Sequence, residues 1–241
     1  MHNTAYYQNQ RLQLENVALD DIAAHFGTPC FVYSKNALEQ SFLAYKNALG
    51  DRSHLICYAV KSNSNLAVLQ TLANLGAGFD IVSLGELERV LLAGGDPNKI
   101  VFSGVAKNAA EMLRALEVGI HCFNVESESE LELLNTTAAE QNKIAAVSLR
   151  VNPDVDAKTH AKIATGKAEN KFGIPISRAS EVYARAASLP GLEAVGVDVH
   201  IGSQLTELAP FELAYRKLAS VTQQLRAEGH DIRRLDLGGG L

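Results

Sequence analysis

Through most of this chain, short unbroken apolar runs alternate with stretches whose apolar residues return every third or fourth position. The first rhythm predicts strands covered on both faces; the second predicts amphipathic helices packed against them. Met1 to Asn16 fits neither and reads as a loose lead-in. Val17 to Phe26 has helical spacing and stops at Gly27-Thr28-Pro29. Phe31-Val32-Tyr33 predicts a short strand. Ser34 is a good N-cap for a helix carrying Leu38, Phe42, Tyr45 and Leu49, which Gly50-Asp51 ends.

The run from Leu55 to Val60 predicts a buried strand that stops on Lys61. Asn65 then caps a helix with Leu66, Leu69, Leu72 and Leu75 on one side. Strands are expected at Gly78 to Val82, Ile100 to Gly104, Cys122 to Glu126, Ala145 to Val151, Leu192 to Ile201 and Arg234 to Leu237. Helices are expected at Ser83 to Ala93, Asn108 to Val118, Ser129 to Gln141, Ser177 to Ser188 and Ala209 to Glu228. A polar segment, Asn152 to Gly173, interrupts the rhythm. This alternation predicts right-handed βαβ units and a parallel sheet. About seven core strands follow Ser53, one fewer than a closed (β/α)₈ barrel needs. An open doubly wound sheet is the alternative.

Composition narrows the classes further. With 241 residues, 47% hydrophobic and 20% charged, the chain is long enough to bury its own core. A net charge of -5 without a basic block argues against nucleic acid or a membrane surface as partner. The polar N-terminus carries no signal-peptide pattern, and no apolar stretch is long enough to span a bilayer. Cys30, Cys57 and Cys122 are widely spaced and read as reduced core residues of a cytosolic protein, with no metal site expected.

The candidate chemistry lies at strand ends. Lys61, Asp80, Ser103, Glu126, Arg150, His200 and Gly238-Gly239-Gly240 all fall at or near the C-terminal ends of successive strands. In a barrel those ends meet on one rim, where active sites are built. Any one of them could be a plain solvated strand end; so many at one edge point to a site. A lysine at the mouth of an apolar pocket can attack a carbonyl and form a Schiff base. His200 could be a satisfied core histidine, or its flat ring could stack on a planar cofactor. The triple glycine could be a bare tight turn, or a loop whose N–H groups approach a phosphate, with Gly202 and Ser203 nearby. Arg150 ends an apolar strand and needs a buried acid or anion as partner; Asp80 and Glu86 could be that partner, or could tune Lys61. Schiff-base lysine, stacking histidine and glycine cradle together suggest pyridoxal phosphate.

Several runs also resemble a known family. Tyr58-Ala59-Val60-Lys61-Ser62-Asn63, Gly78-Phe79-Asp80-Ile81-Val82-Ser83 with Glu86, Asn170-Lys171-Phe172-Gly173, His200-Ile201-Gly202-Ser203-Gln204 and Asp236-Leu237-Gly238-Gly239-Gly240 resemble the pyridoxal-phosphate decarboxylases of the alanine-racemase-like fold. Among these, the His-Ile-Gly-Ser-Gln form is more similar to the branch acting on diaminopimelate than to the ornithine branch. The resemblance implies an incomplete TIM-type barrel over residues 35–241, preceded by a lead-in over 1–34. It implies catalytic roles for Lys61, which would carry the cofactor, and His200, which would stack on its ring. Ser203 and Gly238, Gly239 and Gly240 would hold the phosphate, with Asp80, Glu86 and Arg150 around it. The implied reaction removes CO₂ from meso-diaminopimelate to give L-lysine, in a cytoplasmic homodimer.

In that family an eighth strand with a Glu-Pro-Gly-Arg motif and a C-terminal β-domain follow, and neither is in this sequence. The expectation is an N-terminal portion of the enzyme, inactive by itself. The alternatives are another decarboxylase of the fold, acting on ornithine, arginine or carboxynorspermidine, an amino-acid racemase, or a non-catalytic pyridoxal-phosphate barrel. A sugar- or phosphate-binding barrel without pyridoxal is a further class. Racemases of the fold usually carry a different run after the lysine than Asn63-Ser64-Asn65.

Overall fold

The structure, a computed structural model, describes residues 5–155 and 172–240. The lead-in is more ordered than its sequence suggests. Ala5–Gln8 (β1), Arg11–Leu14 (β2) and Val17–Ala18 (β3) form a small antiparallel sheet. Asn9 and Gln10, both at positive φ, make its first turn, a conformation whose twist suits a two-residue hairpin. Helix Leu19–Phe26 (α1) follows, tied back to β2 by Arg11, which donates to Asp20 and Asp21.

The expected strand at Phe31-Val32-Tyr33 does not form. These residues are extended but pair with no other strand, and Phe31 is 90% exposed. β-propensity marks a side chain that suits a sheet; it does not supply the neighbour. Cys30 is likewise exposed rather than core; Cys57 is half-buried and Cys122 buried.

From Ser34 onward the alternation holds. Ser34 caps helix Lys35–Leu49 (α2), its Oγ accepting the Ala37 N–H. Next come Cys57–Ala59 (β4), a 3₁₀ turn at Val60–Ser62, and Leu66–Asn74 (α3) capped by Asn65. Gly78–Ile81 (β5), Leu84–Leu92 (α4), Ile100–Phe102 (β6), Ala109–Val118 (α5), Cys122–Val125 (β7) and Glu128–Glu140 (α6) repeat the unit. Ala145–Asn152 (β8) is followed by the short Ile174–Pro175 (β9), Ala179–Ala187 (α7), Leu192–His200 (β10), Ala209–Ala227 (α8) and Arg234–Gly238 (β11).

The main sheet runs β4-β5-β6-β7-β8-β10-β11, all parallel, with β9 added to the end of β8. Its seven strands match the number expected, in chain order, so this is a barrel-type sheet left open between β4 and β11 within the described residues. The main core lies between sheet and helices. Phe79, Ile81, Phe102, Phe123, Leu149 and Val197 from the strands meet Leu69, Leu87, Met112, Leu131, Leu134 and Leu225 from the helices. Each such side chain contributes roughly 1.5–3 kcal/mol when fully buried. Facing the other way, the strands present polar or small groups, and these build the site.

Candidate functional site

Alternation along three adjacent strands puts ionisable groups side by side inside the barrel. The parallel register pairs Arg150 on β8 with Asp198 on β10, and Asp198 with Asp236 on β11. Two residues further along, His200 pairs with Gly238. An acidic layer with one guanidinium therefore lies directly beneath the layer that carries the histidine. Asp198 is 5% exposed. Burial raises its pKa well above the usual carboxylate range, Asp236 adds to this, and Arg150 opposes it. Asp236 is also raised by burial, against the Asn124 hydrogen bond and Arg150.

Asp80, from β5, joins this layer. Burial lifts its carboxyl to about 6; a hydrogen bond with Ser103 and the charge of Lys61 pull it down, and Asp236 and Glu86 push it up. Its Oδ1 is buried with no hydrogen-bond partner among the described residues. Lys61 sits in the 3₁₀ turn that ends β4 and is exposed on the rim. Ser62 Oγ donates to the Ala59 carbonyl and helps hold that turn. His200 is pushed down to about 4, first by burial, then by Arg150 and Lys61. The charge of Lys61 thus acts on both Asp80 and His200, and that of Arg150 on His200.

The two glycine-bearing loops interlock. Gly240 N–H donates to Gly202 O at 2.9 Å, and Leu205 N–H donates to Gly240 O at 2.8 Å. A Cβ on Gly238 would lie 2.8 Å from Val199 O and 2.9 Å from His200 Nδ1. One on Gly240 would lie 3.1 Å from Ser203 Cα. Gly239 has φ +152 and abuts the Phe211 ring. Side chains here would displace His200 or Ser203, so only glycines allow this approach. Gly240's N–H is spent inside the cradle; its part is close approach.

Arg150 departs from expectation. Its partner is neither Asp80 nor Glu86 but Glu126, at the end of β7, with Nη1 donating to Oε2 at 2.8 Å. β7 is the strand beside β8, whereas β5 lies two strands further off. Phe172 covers the guanidinium, ring centroid 5.4 Å from Cζ, and Gly173 at φ +78 packs on the Arg150 carbonyl. Asn170 and Lys171 of the same motif lie outside the described residues. Glu86 is engaged locally: its Oε2 accepts the Val82 N–H at 2.7 Å, and it reaches Asp80 through charge alone.

The sequence reading missed Asn124, Asp198, Lys107 and Glu130. Asp198 had a usable signal: it precedes His200 by two in a strand, so both share a face. Glu130 had one too, since Ser127-x-x-Glu130 repeats the Ser83-x-x-Glu86 spacing. Asn124 likewise precedes Glu126 by two in its expected strand; Lys107 had no such signal.

A model of the pyridoxal-binding domain of pyridoxal-dependent decarboxylases matches residues 35–241. The chain belongs to the pyridoxal-dependent decarboxylases. It is 60% identical over 239 residues to the diaminopimelate decarboxylase of Pseudomonas aeruginosa, covering 99% of this chain and 58% of that protein. Diaminopimelate decarboxylase of Helicobacter pylori, solved with L-lysine, superposes with a TM-score of 0.87 at 45% identity, covering 91% of this chain and 57% of that one. The M. jannaschii enzyme, also with L-lysine, gives 0.92 at 38% identity over 99% of this chain and 57% of its own. The chain therefore spans a little under three fifths of these relatives' length. The incomplete barrel fits the alanine-racemase-like fold of this family, and its cofactor is pyridoxal phosphate. The residues present fit that group: a cradle that Cβ atoms would fill lies beside His200, and a buried carboxylate oxygen without a partner lies near Lys61. Among the described residues no helix is long and apolar enough to cross a membrane.

Proposed function

We propose that this chain is the cofactor-holding barrel of a diaminopimelate decarboxylase, which releases CO₂ from meso-diaminopimelate and yields L-lysine. The observation that carries this reading is the meeting of Lys61, Asp80, Arg150 and His200 beside the interlocked loops at Ser203 and Gly238 to Gly240. Identity of 60% to a diaminopimelate decarboxylase supports the choice of substrate.

Each residue has a part suited to its surroundings. Lys61, exposed at the rim, would hold pyridoxal phosphate through its amine. When bound, that cofactor supplies an electron sink for the bond to the departing carboxylate. His200, held near pKa 4 by burial and two cations, offers an uncharged ring face at working pH. Ser203 and the loop backbone at Gly238 and Gly239 would hold the phosphate, and Gly240 keeps the two loops in contact. Asp80, near 6, can hold or release a proton beside Lys61 close to neutral pH. Glu86 sets the corner after β5, next to Asp80, and Arg150 balances the acidic layer.

The same reading divides the chain into a lead-in over residues 1–34 and the barrel over 35–241, and takes the whole protein to be a cytoplasmic homodimer. Release of CO₂ by the whole protein from meso-diaminopimelate, L-ornithine and L-arginine tests the assignment. It predicts turnover of the first alone; preference for either of the others would replace it with a different decarboxylase of the fold.

A further inference from the structure

Three successive corners of the rim are tied together by buried charges. Lys107, in the loop after β6, has a side chain with no exposed surface. Its Nζ donates to Gly104 O at 2.5 Å and Asn124 O at 2.9 Å, and pairs with Glu130 Oε1 at 2.6 Å. Two of its protons thus go to backbone carbonyls, and the Glu130 carboxylate holds it as an ion pair. The second oxygen of Glu130, Oε2, accepts the N–H of Glu126 at 3.0 Å. Glu126 in turn commits both of its oxygens: Oε1 accepts the Gly104 N–H at 2.9 Å, and Oε2 takes the Arg150 guanidinium at 2.8 Å. Lys107 and Glu126 thus grip the same residue, Gly104, from its two sides.

Helix capping alone does not account for this. α6 already has its cap, since Ser127 Oγ accepts the Glu130 N–H. α4 begins with the same arrangement, Ser83 and Glu86, and Glu86 has no ion-pair partner among the described residues. Stability alone is also a weak reason, because a buried ion pair seldom outperforms an apolar pair of similar shape. What the pair does achieve is orientation. It fixes the backbone of Glu126 and the loop at Gly104, and these leave Glu126 Oε2 one direction in which to point.

We infer that Lys107 and Glu130 are positioning residues for Arg150, holding its guanidinium in place at the cofactor site through Glu126. This rests on the cofactor reading above, but Arg150 also bears on His200 in the protein without cofactor. That gives a readout independent of pyridoxal phosphate.

The test is the double variant Lys107→Met/Glu130→Gln in the whole protein. It removes both charges and keeps an acceptor for the Glu126 N–H. Three quantities are measured: the Tm, the His200 ring titration by NMR without cofactor, and the Kd for pyridoxal phosphate. The expected result is a Tm lowered by the two carbonyls that lose their donor, a His200 pKa moved upward as Arg150 swings away, and a Kd raised about tenfold, as for lost supporting contacts around a bound group. Unchanged His200 titration and unchanged Kd in the folded variant, whatever its Tm, would overturn the inference and leave a purely structural pair. If the parent itself binds no pyridoxal phosphate, the cofactor reading fails, and the His200 titration alone then decides whether the pair positions Arg150. Should the double variant not fold, Glu130→Gln alone gives the same readouts.

Discussion

Asn124 Nδ2 donates to Asp236 Oδ2 at 2.9 Å, although their strands, β7 and β11, have β8 and β10 between them in the sheet. The bond crosses the barrel interior. It reflects a sheet curled far enough to bring its last strand round towards the middle of the row. It also supplies a donor to a carboxylate that lies beside Asp198 in a layer with one guanidinium.

Removing that donor exposes the cost of burying the charge. Asn124→Leu should lower stability by about 1–3 kcal/mol at pH 8, the usual penalty for a buried polar group stripped of its partner. At pH 5 the loss should be smaller, because burial raises the Asp236 carboxyl and shifts it towards the protonated form, which needs less solvation. Urea unfolding at the two pH values checks this, and equal losses at both would contradict it.

Asp80 should act as a stability sensor in the protein without cofactor. Its folded pKa, about 6, lies above its ordinary 3.8. The folded state therefore binds the proton more tightly than the unfolded chain does. Its stabilising effect is full below pH 3.8 and is lost as pH rises through 6. Asp80→Asn should accordingly be more stable than the parent at pH 7.5, by up to about 3 kcal/mol. The advantage should vanish near pH 4. Thermal unfolding across that range gives the answer, and a gain independent of pH would rule out titration as its source.

Gly238→Ala should damage the site more than the fold. The new Cβ must push either the Val199 carbonyl or the His200 ring. Affinity for pyridoxal phosphate is expected to fall by tenfold or more, about 1.4 kcal/mol. Secondary structure should remain intact by circular dichroism. Undiminished affinity would show that the glycine is not needed beside His200.

Much of this was legible in the sequence, and the rest was hidden for identifiable reasons. The strands from Cys57 to Gly238 announce themselves because a sheet covered by helices requires unbroken apolar runs. The rim residues Lys61, Asp80, Arg150 and His200 are legible because each interrupts such a run at its end. Pairing is different. That Arg150 meets Glu126 rather than Asp80 follows from the order and stagger of the strands, which no local pattern encodes. Phe31-Val32-Tyr33 has strand character without a strand to join, whereas β1 and β2, only four residues each, find one across a tight turn. Lys107 lies in a polar loop and gives no hint that it is fully buried.

Lys61 stands at the centre of the whole account. The most direct measurement is borohydride reduction of the protein after incubation with pyridoxal phosphate, followed by peptide mass mapping. The prediction is a single pyridoxyl group on Lys61, with the accompanying visible absorbance absent from a folded Lys61→Ala variant. A label on another lysine, or none in folded protein, would contradict it.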